Sequence, residues 1–306
     1  MEKSQPSSSD PVPSDPPPAY TPSSHDDGLA SRKPPQQQQG RRPPPPALDL
    51  PILKYMRTHR VILASASPRR RALLAQIGLP NIEVIPSTKP ENLPKEQLGA
   101  FEYVAATARQ KALDVYQTAL KQVEEAAEAA ENSKTVSGAE TTLNGDGAPV
   151  IPRDPDLVIA ADTVIVTREG VVLEKPSSEQ AHIRMLRRLR DTRTHRVLTA
   201  VCCVAPKADA SFPGYAISSF TEETRVTFVK ENELSDDVID AYVRTREGAD
   251  KAGGYAVQGM GGLILVDKIE GSVDTVIGLP VRRCLALCEK VLFRQDDEES
   301  EAEDDD

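Results

Sequence analysis

The sequence has no tryptophan, and aromatic residues make up only 4% of its 306 positions. No basic stripe interleaves with rings, so the chain offers no platform for stacking bases and nucleic-acid binding is not expected. No apolar run reaches the ~18–20 residues needed to span a bilayer, and no membrane association is expected. The start lacks the basic cap and apolar stretch of a secretory signal, while proline and aspartate interrupt any arginine-rich transit pattern. The nucleotide-cradling GxxxxGK[ST] pattern is missing, and no internal repeat stands out. Cysteine is scarce: Cys202, Cys203, Cys284 and Cys288 make a poor disulfide framework in a chain this long. Zinc ligation is the sharper reading of them; buried free thiols in a reducing compartment is the reading adopted. Together these absences predict a cytoplasmic protein.

What is present is distributed unevenly. Many of the 26 prolines fall in residues 1–50, among Ser, Gln and Asp. Segments such as "PPPAY" and "RRPPPPALDL" favour polyproline II and bury no core, so this stretch is read as a disordered tail. Within it, "PPAY" (Pro17 to Tyr20) fits a proline-rich ligand for a WW domain. Residues 296–306 form an acidic tail that repels itself out of any packed state. Residues 121–156 read as a low-complexity insertion whose Ala/Glu half could extend a preceding helix. The formal net charge of −10 divides into −9 in the acidic tail, −1 in residues 1–50 and −5 in the insertion. The remainder is therefore +5, all of it between residues 51 and 120, which predicts a local basic site for an anion.

Between the tails, residues 51–295 alternate strand-like runs ("HRVILAS", "IEVIPS", "LVIAADTVIVT", "VVLEKP", "HRVLTAVCCVA", "AISSFTEETRVTFV", "GGLILVDKIEG") with helix-like ones ("SPRRRALLAQIG", "AFEYVAATARQKALDVYQTALKQ", "SSEQAHIRMLRRLR", "ELSDDVIDAYVRTRE", "LPVRRCLALCEKVLF"). The alternation predicts an α/β fold with a mixed twisted sheet flanked by helices, as two lobes around a central cleft. The apolar "VIA" entering Asp162 suggests a strand buried on both faces; the alternating "TRVTFV" suggests an edge or one-sided antiparallel strand.

In "LASASPRRRALLAQIGL", Ser67-Pro68 reads as an N-cap followed by proline at the first helical position. Arg69, Arg70 and Arg71 then fall in the first turn, where the helix dipole repels cations. The conflict disappears if a ligand with several negative charges docks there, held by free N–H groups after Ser65 to Ser67 and by the forks of Arg69 and Arg70; a solvated basic turn is the plainer alternative. Asp162 interrupts an apolar run where the strand is expected to end or kink, a costly place for a carboxylate unless it is paired, bonded or bound to metal. It could orient a water, hold Mg²⁺, or simply cap the next turn. Glu91 in "TKPENLP" and Lys175 in "LEKP" read individually as solvent-facing. The glycines of "EGADKAGGYAVQGMGG" would let backbone approach a ligand closely, or make an irregular turn. His195 reads as a structural hydrogen-bonding residue rather than a catalytic base.

As a set, "LASASPRRRALLAQIGL", "IAADTVIV", "LEKP", "HRVLTAV", "DKAGGYAVQG" and "IEGSVDTVIGLP" resemble the Maf-like nucleoside triphosphate pyrophosphatases, in that family's order and over roughly residues 60–292. The resemblance implies hydrolysis between the α and β phosphates with a divalent metal, most simply Mg²⁺, and a homodimer. It implies that Asp162 is the catalytic carboxylate and a metal ligand with Glu91, and that Arg69, Arg70 and Lys175 meet the phosphates beside Ser65 and Ser67. Arg69, Thr163 and Gln258 fall at positions that sort substrates. Two motifs depart from the pattern: Pro90-Glu91 replaces an acidic pair, and "LRD" (Leu189 to Asp191) replaces "LSG". The Gln258 amide, donor and acceptor at once, matches the O4 acceptor and N3–H donor of uracil or thymine, which selects the dTTP/UTP branch; a glutamate there would suit 7-methyl-GTP. A non-catalytic regulator of the same fold is the competing class, against which the intact Arg69, Asp162, Lys175 and Gln258 speak.

Overall fold

A computed structural model describes residues 48–133, 152–207, 209 and 211–295. The proline-rich segment with its PPAY motif, the second half of the insertion and the acidic end lie outside the described residues. Helix α1 (Pro51–Thr58) buries Ile52, Leu53 and Met56; eight residues are too few to show a period, and the sequence reading did not single it out. The buried strand β1 (Val61–Leu63) feeds α2 (Pro68–Gln76), with Pro68 at the first helical position and extended Ser67 at the N-cap. The Ser67 hydroxyl makes no capping bond, however, so this helix start keeps its N–H groups for another use. After β2 (Glu83–Val84) comes α3 (Lys95–Ser133), broken at Gly99 (φ 72°) and then carried on by the helix-favouring Ala/Glu half of the insertion.

Strands β3 (Leu157–Val166) and β4 (Val172–Leu173) precede α4 (Glu179–Thr192), whose N-cap Ser178 hydroxyl accepts the Ala181 N–H at 3.1 Å. The long strands β5 (Thr194–Pro206) and β6 (Tyr215–Phe228) lead to α5 (Asp236–Arg244). The run "GGLILVDKIEG", expected as one strand, divides into α6 (Met260–Ile264) and β7 (Val266–Glu270). The reason is local: the Glu247 carboxylate accepts the N–H groups of Met260 (3.0 Å) and Gly261 (2.9 Å), and that start turns the apolar residues helical. Helices α7 (Val273–Ile277) and α8 (Val281–Phe293) complete the described chain.

The seven strands form one mixed sheet in the order β2-β1-β3-β5-β6-β7, with β4 also on β3. β1 runs parallel to β2 and β3; the other pairs are antiparallel. This is the expected α/β class. The "TRVTFV" stretch is not an edge, because β5 and β7 flank it, but it is one-sided: Val226 and Phe228 are buried and Arg225 is exposed. Strand alternation sends Leu157, Ile159 and Ala161 of β3 under α1, α2 and α8, and Val158, Ala160 and Val164 under α3. Each fully buried Leu or Ile contributes roughly 1.5–3 kcal/mol, so β3 is the strand the fold is built around. No helix among the described residues is long and apolar enough to cross a membrane.

Candidate active site

The sheet leaves one gap where chemistry can enter. β1 pairs with β3 only over Leu157–Ile159 and β4 only over Ile165–Val166, so from Ala160 to Val164 that edge of β3 carries no strand among the described residues. Asp162 sits in this gap. The expectation that β3 ends or kinks there is corrected: Asp162 pairs in register with Ala200 of β5, and what stops is the neighbouring strand. A cavity of about 500 Å³ opens at the gap, and Ser65, Ser67, Arg69, Arg70, Glu91, Asp162, Thr163, Lys175 and Gln258 all line it.

The three arginines of the α2 start have different surroundings. Arg71 is exposed. Arg69 pairs with Asp250 at 3.0 Å. Burial pushes the Asp250 carboxyl up, but Lys251 and Arg69 outweigh it and hold the group at about 2. Arg70 turns back along the cavity wall, donating to Gly278 O (2.7 Å), Ser65 Oγ (2.9 Å) and Thr163 Oγ1 (3.1 Å). All three acceptors are neutral. Loss of water pulls its guanidinium below the ordinary arginine value, with the Asp162 charge opposing. A half-buried cation held by neutral oxygens beside a helix N-terminus is ready for an anion. Thr163 is fixed in turn by Thr199 Oγ1 at 2.9 Å, whose own hydrogen bond reaches Thr275 O at 2.8 Å.

Asp162 and Thr163, neighbours on a strand, point to opposite faces, and Asp162 therefore meets α3 rather than α2. There Lys111 Nζ lies 2.8 Å from Asp162 Oδ1 and 2.7 Å from Glu91 Oε1. Burial raises the Glu91 carboxyl, but the Lys111 hydrogen bond, with Lys175 and Arg70 behind it, leaves it lowered and ionised. The two carboxylates thus converge on the Lys111 ammonium, and their remaining oxygens are hard donors of the type that would suit Mg²⁺, which takes one or two carboxylates and completes its shell with water and phosphate oxygens. Lys175 and Gln258 are exposed to the cavity and make no hydrogen bond among the described residues.

Sequence reasoning missed Lys111, Asp250 and Lys251. A signal for Lys111 existed: Val104, Ala108, Lys111 and Val115 follow helical spacing, a cation within an apolar face. Asp250 carried no such mark in its glycine-rich loop. Those glycines serve the loop itself more than a ligand: a Cβ on Gly248 would stand 1.8 Å from Gly254 O, and Gly254 (φ 76°) presses on the His182 ring. His195 is buried with Nε2 2.9 Å from the Tyr255 hydroxyl, the structural bond expected; burial depresses its pKa to about 3. In the "LRD" departure, Arg190 turns inward to Leu234 O, Asp191 and Asp236. Arg193 ends α4 at φ 65°, held by Phe228 O and Asp267.

The chain is similar to a Schizosaccharomyces pombe protein named dTTP/UTP pyrophosphatase, 37% identical over 251 residues, 81% of this chain and 90% of that one. An Anaeromyxobacter dehalogenans protein of the same name is 39% identical over 76% of this chain and 95% of its own length. A Homo sapiens protein named as a probable bifunctional dTTP/UTP pyrophosphatase/methyltransferase is 37% identical over 76% of this chain and 32% of that longer protein. The Maf-like protein family pattern matches residues 60–291, the stretch that builds both the sheet and the cavity, and the chain belongs to that family.

Proposed function

We propose that this chain hydrolyses dTTP and UTP between the α and β phosphates, releasing the nucleoside monophosphate and pyrophosphate. The observation that carries the reading is Arg70, a guanidinium with three neutral partners in the wall that also holds Asp162 and Lys111. Six cations (Arg69, Arg70, Lys89, Lys111, Lys175, Lys251) line the cavity against four carboxylates (Glu91, Asp162, Glu174, Asp250), an excess that a polyphosphate neutralises. Arg69, Arg70 and Lys175 bind the phosphates, with the N–H groups after Ser65 to Ser67 completing the cradle. Lys111 occupies Oδ1 of Asp162 and leaves Oδ2 to take a proton from the attacking water. A divalent cation on Asp162 and Glu91, Mg²⁺ by donor type, would neutralise phosphate charge and act as a Lewis acid. Positioning and charge compensation account for the rest of the rate.

Gln258 is unpartnered among the described residues, so its amide is available to read O4 and N3–H of a pyrimidine, with Thr163 and Arg69 as the other sorting residues. Residues 51–295 are the catalytic unit in this reading, with α2 and β3 on one side of the cleft and the 247–258 loop on the other. Four free buried cysteines suit a reducing, cytoplasmic setting. Steady-state kinetics on a nucleotide panel, with and without Mg²⁺, test the proposal; a tenfold preference for 7-methyl-GTP over UTP overturns it. Asp162→Asn keeps the shape and removes the charge, and kcat above about a tenth of wild type, a loss under ~1.4 kcal/mol, removes Asp162 from the catalytic role.

A further inference from the structure

Outside the cavity, three of the four cysteines meet. Cys203 of β5 faces α8, where Cys284 and Cys288 lie one turn apart, and their Sγ atoms all fall within 4.8 Å of one another. Cys203 Sγ to Cys288 Sγ is 3.7 Å, and all three side chains are sealed from solvent. A metal–sulfur bond of about 2.3 Å places the sulfurs of a trigonal site about 4 Å apart, so this triangle is already near the size a metal needs. No histidine or carboxylate joins it among the described residues. The packing around it is hydrocarbon: Val201, Ala205, Leu279, Leu287 and Val291. Zinc asks for a fourth ligand, which this pocket lacks. Soft sulfur donors select Cu(I), which is content with three.

We propose that Cys203, Cys284 and Cys288 form a binding site for one soft monovalent cation, Cu(I), which braces β5 against α8. Each sulfur that binds as thiolate releases its proton to water. Cys284 lies in the first turn of α8, where helix N–H groups favour the negative charge of a metal-bound thiolate. The brace joins two elements that support the cavity, since Thr199 of β5 holds Thr163 and the residues just before α8 supply Gly278 O to Arg70.

The test is anaerobic competition of the reduced full chain against a chromogenic Cu(I) chelator. Loading is done both on the folded protein and during refolding from urea, so that burial cannot hide the site. The expected result is one Cu(I) withdrawn per chain, a sulfur-to-copper charge-transfer band, and a higher Tm for the loaded protein. Cys203→Ser, Cys284→Ser and Cys288→Ser each abolish uptake. Cys202→Ser, an equally buried thiol on the other face of β5, leaves it intact and controls for damage to the core. Circular dichroism of each variant separates a lost site from a lost fold, and Cd²⁺ titration reports the surviving thiol pair where folding is retained. No Cu(I) uptake under either loading regime overturns the proposal, as do uptake that survives loss of Cys284 and a site that takes Zn²⁺ in preference to Cu(I).

Discussion

Replacing Lys111 by methionine keeps the aliphatic stem and removes the one ammonium on which Asp162 and Glu91 converge. The Asp162 side chain is only 9% exposed, so the variant strands a buried carboxylate, and breaking a buried pair from one side costs about 3–5 kcal/mol. The Glu91 arm, with a side chain 44% exposed, adds at most about 1 kcal/mol. With 9% of the Asp162 side chain still reaching solvent, the lower end applies, and a loss of about 3 kcal/mol is expected, or about 6–12 °C in Tm for a domain of this size. Urea and thermal unfolding in EDTA measure it. The sharper measurement is the cycle with Asp162→Asn. Once the ammonium is gone, neutralising Asp162 relieves the stranded charge, so the double variant is more stable than Lys111→Met alone and the coupling is about 1.5 kcal/mol or larger. Single effects that add within ~0.5 kcal/mol would mean that Lys111 does not hold the carboxylate in solution.

Three further outcomes follow from particular contacts. His195 has a folded-state pKa near 3, below the unfolded value, so the unfolded chain binds more protons in the window between and stability falls as pH drops. Between pH 7 and pH 5 this contributes about 1.5–2 kcal/mol, which His195→Gln removes from the slope of urea midpoints; parallel slopes for the two proteins would contradict it. Gly254→Ala places a Cβ 2.5 Å from His182 Cδ2 at φ 76°, and chemical denaturation should show a loss of about 2 kcal/mol or more. Asp250→Asn releases Arg69, and Lys251 with it, from a surface-exposed partner, costing no more than about 1 kcal/mol of stability while lowering KM for UTP about two- to fivefold. A raised KM would show Asp250 orienting Arg69 rather than competing with phosphate.

Local chemistry in this chain is legible wherever one element suffices to express it. Pro68 marks a helix start, the Ala/Glu run of α3 declares its propensity, and the apolar "LVIAADTVIV" announces a strand buried on both faces. Legibility fails where distant residues decide. The strand-like "GLIL" becomes α6 because Glu247, more than ten residues upstream, caps its N–H groups. Cys203 and Cys288 are 85 positions apart, and only the packing of α8 on β5 brings their sulfurs together. Asp162 stood out as a carboxylate in an apolar run, but its explanation depends on where β1 and β4 stop and on a lysine 51 residues earlier.

The same division explains the arginine run. Sequence alone sees three like charges set against a helix dipole and can say only that something must compensate them. In the fold, side-chain direction around one turn separates them: Arg71 goes to water, Arg69 to Asp250, and Arg70 to three neutral oxygens supplied by β3, the Ser65 turn and the loop before α8. Of the three, only half-buried Arg70 is turned from bulk solvent without a carboxylate partner, so it retains most of the electrostatic demand that the sequence assigned to all three. In the proposed reading a ligand entering the gap beside Asp162 meets that demand, because the gap is where β3 lacks a neighbouring strand among the described residues and where both faces of the sheet can reach one molecule. In the proposed reading, phosphate recognition on one face and carboxylate chemistry on the other meet where this edge of β3 is unpaired, between the last β1 partner at Ile159 and the first β4 partner at Ile165.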